Sequence, residues 1–339
     1  MTVVDGILLV DKPAGVTSFD VVNRVRWALV QAFPELVPRR GKRPAGAPKP
    51  PRFKCGHAGT LDPLATGLLI VLVGKGSRLA PFLLGQDKTY LATVRFGSVT
   101  DTLDRDGIVV ATAPVPEGPE AVAACLPGFR GDIQQIPPII SALKKDGQPL
   151  YKLARSGQDV PEPDARPVTI HRLEMTASRW GASGEDAVHE VDLEVDCTSG
   201  TYIRSLARDL ARAAGTEGHI HNLRRLTVGR FKVADSVSGV MDKAGEELAA
   251  SLLPLSAALA QVPAVTFDQA EAAAVRQGQQ PGEGFMARLD GEPHVVGKAG
   301  RLFQILDEAG DLVAVGKLDE TTGKPVLATV IPLDDLSAD

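Results

Sequence analysis

Apolar residues recur along the chain with two periods, and the switches between them sketch an order of elements. GILLV at 6–10 is short and continuous, the pattern of a buried strand, and it runs into the turn signal Asp-Lys-Pro-Ala-Gly. TSFDVVNRVRWALV then spaces its apolar residues as a helix does, with Thr17 or Ser18 as its cap. GHAGTLDPLATG at 56–67 predicts a loop feeding an apolar strand, LLIVLV, followed by a turn and short helix in GKGSRLAPFLLG. KTYLATVRFG at 88–97 alternates like a half-buried strand, and TDTLDRDG reads as an acidic turn. The spacing of Val122, Leu126 and Phe129 predicts helix within 117–129.

From 131 to 168 paired prolines, basic residues and Gly-bounded turns mark a long excursion from the core. Two strands follow, HRLEMTASRW and VHEVDLEVDCTSG, the second with Val191, Leu193, Val195 and Cys197 on one face. Ser199-Gly200-Thr201 opens a helix whose apolar face is Ile203, Leu206, Ala207, Leu210 and Ala214. Arg204, Arg208 and Arg212 form a second stripe. Arg208 and Arg212 read as a solvated face, whereas Arg204, near the capped end, is better placed for a site. Residues 236–262, rich in Ala, Ser and Leu, predict a helical connector. From Val265 the runs FQIL, LVAVGKL and ATVIPL, separated by Gly and Asp, predict a small β-rich domain beginning near Pro263.

At 339 residues the chain exceeds what one core organises, which favours two domains. An aromatic share of 4% argues against aromatic-rich cores. The net charge of −5 is unevenly placed: residues 264–339 hold 13 acidic against 6 basic residues, leaving a slight positive balance before them. Residues 39–54 carry seven basic residues, no acidic one, and prolines at 44, 48, 50 and 51, so a basic loop is expected there. It is either a solvated surface insertion or an arm that contacts phosphates. The longest apolar run, at 67–74, is too short to cross a membrane, and the N-terminal stretch lacks the basic region of a secretory signal. A cytoplasmic protein without a membrane span is expected. Cys55, Cys125 and Cys197 fit neither a disulfide framework nor a zinc site, and reduced, mostly buried thiols are expected. His219 and His221 lack further ligands at useful spacing, so no metal is expected. GKGSRL lacks the spacing of a nucleotide-binding loop, so no cofactor is expected either.

The local pattern leaves Asp62 open between a turn-forming aspartate and a catalytic carboxylate. A resemblance resolves it. DKPAGVTSFDVV, GHAGTLDPLATGLLIVLVGKGSRLA, KTYLATVRFG, IPPIISALKKDGQPLYKLAR, SGTYIRSLARDLA and HIHNLRRLTVGRF, in this order and spacing, closely resemble the bacterial tRNA pseudouridine-55 synthase family. The resemblance covers most of residues 5–235. It implies an α+β catalytic domain around a mixed, mostly antiparallel sheet over 1–262, followed by a PUA-like RNA-binding domain over 263–339. By motif, the family's catalytic aspartate falls on Asp62, its active-site tyrosine on Tyr90 and its arginine partner on Arg204. His57, Gly59, Thr60, Lys88, Tyr202, His219, Arg224 and Arg225 are the implied substrate-binding residues, and 131–160 is the segment implied to clamp RNA. The sequence departs from the family in the Pro- and Arg-rich insertion and in Ile140, where a tyrosine is common.

Converting uridine to pseudouridine breaks the N1–C1′ bond, turns the base and joins C5 to C1′. A carboxylate beside the sugar is needed, held ionised by a fixed partner because an unpaired buried charge is costly. The implied partner is the T arm of tRNA, with no obligatory protein. Two alternatives stay open on sequence alone: a tRNA-binding folding chaperone without useful catalysis, and a guide-dependent synthase.

Overall fold

The computed structural model describes residues 4–37, 53–140, 163–181 and 188–333, apart from 283, 290, 297 and 298, and the backbone of two short strands within 141–162. Residues 39–52 of the basic insertion and the side chains of the excursion beyond 140 lie outside the described residues. The chain divides into two compact units, one of residues 1–63, 67–86 and 229–339, the other of 64–66 and 87–228.

The first unit starts with β1 (Gly6–Lys12). Helix α1 (Ser18–Ala32) follows, capped by Thr17, whose hydroxyl accepts the Asp20 N–H while the Asp20 carboxylate accepts the Thr17 N–H. β2 (Cys55–His57) and β3 (Thr66–Val73) come next, with β3 antiparallel to β1, Gly6 facing Val73 and Lys12 facing Gly67. β2 pairs with the far end of β3, so His57 faces Val71 and stands on a strand rather than in the predicted loop. β1 and β3 are buried along nearly their whole length, which explains continuous apolar runs in place of alternation. A 3-10 turn at Gly74–Leu79 and α2 (Ala80–Leu84) follow.

The second unit is an antiparallel sheet. It uses β4 (Lys88–Phe96), the hairpin of β5 (Ser98–Thr100) and β6 (Val109–Thr112), α3 (Glu120–Cys125) and β7 (Gly131–Gln135). β8 (Lys144–Lys145) and β9 (Gln148–Pro149) pair with each other; β10 (Arg166–Trp180), β11 (His189–Cys197), α4 (Ile203–Ala213) and β12 (Gly218–Val228) complete it. The strand order is β12-β4-β11-β10-β7. Val191, Leu193, Val195 and Cys197 are all buried, as their alternation predicts. The opposite face is occupied by ion pairs: Glu190 and Asp192 hold Arg179, Glu190 also holds Arg95, and Glu194 and Asp196 hold Arg172. Among the described residues the charges on this face are paired with one another.

The predicted connector at 236–262 is overturned. After β13 (Phe231–Lys232), only the short α5 (Gly245–Ala250) and a 3-10 turn at Leu255–Leu259 are helical. Instead, Val237 and Leu253 bridge to Val10 and Ile7, with Ile7 N to Leu253 O at 3.1 Å and Asp11 N to Val237 O at 2.9 Å. The free edge of β1 carries unpaired N–H and C=O groups, and satisfying them outweighs the helical propensity of an Ala-rich segment.

The C-terminal β-rich segment begins at β14 (Ala264–Phe267), followed by α6 (Gln269–Arg276), β15 (His294–Val295), β16 (Arg301–Asp307), β17 (Leu312–Leu318) and β18 (Pro325–Val330). The sheet order is β14-β16-β17-β18; β14 runs parallel to β16, and β15 also pairs with β16. Its core departs from the expectation of aromatic-poor packing, because Phe285 stacks 4.8 Å from Phe303 and 5.9 Å from Phe267. Gly316 is required beneath this cluster: a Cβ there would lie 2.0 Å from the Phe303 ring.

Candidate active site

Asp62 lies half-buried on the loop between β2 and β3. Gly59, at φ +103°, makes the turn that separates it from His57, a backbone state that a side chain would strain. The residues on either side of Asp62 are anchored. The Ser18 hydroxyl, at the start of α1, accepts the Leu61 N–H at 2.8 Å and donates to the Leu61 carbonyl at 3.1 Å. The Pro63 carbonyl accepts the Gly15 N–H at 2.8 Å and the Lys12 ammonium at 3.2 Å. Lys12 is wholly buried and also donates to the carbonyls of Pro13 and Val16, so each of its three N–H groups has an acceptor. The DKPAGVTS motif thus braces the GHAGTLDPLATG loop. Sequence reasoning credited Ser18 only as an alternative cap; because Thr17 takes that role, the Ser18 hydroxyl is available to Leu61.

In the second unit the pleat of β4 turns Lys88 and Tyr90 to the same buried face. Tyr90 sits between Val195 on β11 and Arg225 on β12, while Lys88 sits between Cys197 and Val228. Arg225 is 1% exposed and Tyr90 8% exposed. Burial, reinforced by the nearby Arg225 guanidinium, pushes the Lys88 ammonium down to about 8. Lys88 and Arg225 thus place two cationic groups near each other on one buried face. Arg224 is half-buried and donates to the Thr66 hydroxyl at 3.3 Å. His219 is buried and its Nδ1 lies 2.9 Å from the Ser98 carbonyl, which makes that nitrogen the donor. Thr60 is exposed.

Tyr202 is the N-cap of α4, and its backbone is pinned by Gln135, whose amide oxygen accepts the Tyr202 N–H at 2.8 Å and whose amide nitrogen donates to the Tyr202 carbonyl at 3.1 Å. Arg204 is 6% exposed. Its guanidinium donates to the Thr102 carbonyl at 2.7 Å and the Ile140 carbonyl at 3.1 Å, and lies 3.6 Å from the Asp104 carboxylate. Asp104, also buried, accepts the Thr102 hydroxyl and the Asp106 N–H. Leu103 beside it has φ +62°, a left-handed state that costs on the order of 1–3 kcal/mol for a non-glycine residue. Its carbonyl and the Arg105 N–H both bond to Ile220, which offsets that cost. Asp104 and Gln135 were missed in the sequence, where TDTLDRDG read as an ordinary acidic turn; three acids in seven residues beside a strand were the available signal. Arg208 overturns the solvated-face expectation: it is 8% exposed and bonded to the Ile136 carbonyl and Asp209, whereas Arg212 is exposed.

Among the described residues no cluster of metal-ligating side chains occurs, and no helix is long and apolar enough to cross a membrane. The cysteines are free, with Cys197 buried and Cys55 and Cys125 half-buried. Burial pushes the thiols of Cys55 and Cys197 up to about 12, far from a nucleophilic thiolate at neutral pH.

Comparison with known proteins gives the family. Residues 48–203 match the model of the TruB family pseudouridylate synthase N-terminal domain, and residues 204–260 match that of the tRNA pseudouridylate synthase B C-terminal domain. The tRNA pseudouridine synthase B of Saccharophagus degradans is 37% identical over 330 residues, covering 95% of each chain. That of Mycobacteroides abscessus is 42% identical over 302 residues, covering 86% of this chain and 90% of its own. Among solved structures, a Cbf5-Nop10-Gar1 complex shares the fold, with TM-score 0.62 at 24% identity over 96% of this chain and 83% of that one. The chain belongs to the TruB family of pseudouridylate synthases. It is an isomerase that turns uridine into pseudouridine in tRNA.

Proposed function

We propose that the chain modifies uridine-55 in the T loop of tRNA, with Asp62 as the catalytic carboxylate, Arg204 as its ionic partner and Tyr90 beneath the flipped base. The observation that carries this reading is the bracing of the Asp62 loop: a half-exposed carboxylate between two residues whose backbones are each held by buried groups of 12–18. Preorganisation of that kind is what a reacting group needs and a solvent turn does not.

In this reading the target nucleotide leaves its stack, at a cost of about a few kcal/mol, and His57, Gly59, Thr60 and Tyr202 meet the opened loop. Arg224, half-buried, would meet the RNA backbone, with the buried Lys88, His219 and Arg225 acting from behind it. Asp62 takes the 2′ proton, giving a glycal as the N1–C1′ bond breaks; direct attack on C1′ is the competing first step. The freed base rotates, and C5 joins C1′ as Asp62 returns the proton to C2′. The C5 proton is passed on to N1, with the Tyr90 phenol the candidate relay, accepting one proton as it gives up its own. Atoms are only rearranged and no electrons are exchanged, so the balance calls for no cofactor. Arg204 would keep Asp62 ionised and aimed. Residues 263–339 would serve as a PUA-like RNA-binding domain, their five-stranded sheet supporting that assignment and their acidity limiting it to weak phosphate contact. The enzyme would act alone, without guide RNA or protein partner, in the cytoplasm.

The test is incubation of the purified chain with unmodified tRNA transcript and mapping of pseudouridine, beside Asp62→Asn. Modification at position 55 is expected from the unaltered chain, and none from the variant at comparable tRNA affinity. Equal modification by both would overturn the assignment of Asp62, and modification elsewhere the assignment of the substrate position.

A further inference from the structure

We propose that Ser18 is a positioning residue for the isomerisation, acting through the peptide that precedes Asp62; this rests on the reading of Asp62 as the catalytic carboxylate. Ser18 is the first residue of α1 and is 2% exposed. It is not spent on capping, since the Thr17 hydroxyl accepts the Asp20 N–H. A serine hydroxyl has one proton and lone pairs to accept with, and here both functions are used on one residue 43 positions away: it accepts Leu61 N–H at 2.8 Å and donates to Leu61 O at 3.1 Å.

The consequence follows from covalent geometry. The Leu61 carbonyl and the Asp62 N–H belong to the same planar peptide, so holding that oxygen orients the plane from which the Asp62 side chain springs. On the other side, Pro63 restricts Asp62 to extended backbone states, and the Pro63 carbonyl is itself tied to Gly15 and Lys12. The ψ side of Asp62 is therefore set by a covalent restraint, and the peptide on its φ side is held by the Ser18 hydroxyl. With both fixed, the backbone of Asp62 sets the point from which its carboxylate projects. Ser18 is carried by a 15-residue helix that buries Val21, Val22, Val25, Ala28 and Leu29, so the anchor does not move with the loop. Removing the hydroxyl frees the peptide plane on one side only. That displaces the carboxylate without touching any group proposed to bind RNA.

The experiment compares the full chain with Ser18→Ala on unmodified tRNA transcript, measuring the single-turnover rate at saturating enzyme, the tRNA dissociation constant and the melting temperature. A misplacement on the ångström scale predicts a rate lowered about 10- to 100-fold. The dissociation constant should stay within about twofold, because an interaction felt only in the transition state does not change binding. Ser18→Thr, which restores the hydroxyl, should recover rate relative to alanine. A folded Ser18→Ala chain reacting at the unaltered rate, or losing only tRNA affinity, overturns the proposal. Should the alanine variant not fold, Ser18→Cys keeps the volume with only weak hydrogen bonding and is judged by the same two measurements. Asp62→Asn separates the two readings: if it stays active, the role of Asp62 fails; if it is inactive while Ser18→Ala is unaffected, only the role of Ser18 fails.

Discussion

Two backbone anchors in this molecule share a chemistry and differ in what stands behind them. Ser18 grips both polar atoms of Leu61 beside Asp62, and Gln135 grips both polar atoms of Tyr202 two residues before Arg204. Behind Ser18 is the start of a long, well-packed helix. Behind Gln135 is the end of β7, and the chain that continues from it offers the Ile136 carbonyl to Ser205 and Arg208 and the Ile140 carbonyl to Arg204. The carboxylate is thus seated on regular structure. The arginine is seated on the base of the excursion implied to clamp RNA, so its position is tied to a segment with business elsewhere.

The largest effect that would test this contrast comes from the charges themselves. Arg204→Lys should lower the single-turnover rate by about 100-fold or more, since a lysine cannot reproduce the fork that spans Thr102, Ile140 and Asp104. A rate within a few-fold of the unaltered chain would detach Arg204 from the chemistry. Next, Gln135→Ala removes an acceptor from the Tyr202 N–H and one of the donors to its carbonyl, which also accepts the Leu206 N–H, and should cost about 1–3 kcal/mol of stability by denaturant titration. If the second anchor is coupled to the RNA-facing segment, this variant should weaken tRNA binding as well as rate, unlike Ser18→Ala; identical profiles for the two variants would erase the distinction.

A smaller effect is set by pH. Lys88 is depressed to about 8 from its ordinary 10.5, so the unfolded chain holds that proton more tightly, and this group contributes a gain in stability as pH rises from 8 to 10.5. In the folded enzyme its positive charge disappears across pH 8. If Lys88 meets an RNA phosphate, tRNA affinity should fall between pH 7 and 9, and Lys88→Met should bind weakly at both with that step removed. The same step persisting in Lys88→Met would assign it to another group. Smallest is the effect of deleting 39–52: a shallower salt dependence of tRNA affinity would make the insertion a phosphate-contacting arm, and an unchanged slope a passive loop.

Much of this architecture was legible from patterning because the elements are locally consistent. The continuous run at 6–10, the alternation at 88–96 and the capped periodicity after Thr17 each specify one structure. What was not legible depends on partners far away in sequence. Residues 236–262 read as helix from composition, and only the open edge of β1 explains why they are extended at Val237 and Leu253. Arg208 read as solvated because the chain gives no sign that the Ile136 carbonyl waits for it. Helix α6 went unread despite a local signal, the capping box of Asp268 and Glu271. For the proposed site, the resemblance in motif order pointed to Asp62, Tyr90 and Arg204, while Ser18, Gln135 and Asp104, which hold the backbone or side chain beside two of them, carry ordinary residue types whose meaning is geometric.

The covered edge of β1 also bears on how the protein is made. GILLV leaves the ribosome well before the residues that close its edge, since Val237 and Leu253 are encoded more than two hundred codons later. At synthesis rates of about 5–20 residues per second, that delay is on the order of ten to fifty seconds. Residues 87–228, by contrast, hold β4, β7, β10, β11 and β12 in one stretch of sequence. The nascent chain therefore completes its second unit while the first still presents an apolar strand with a bare edge, and protection of that strand during translation becomes a requirement of the topology.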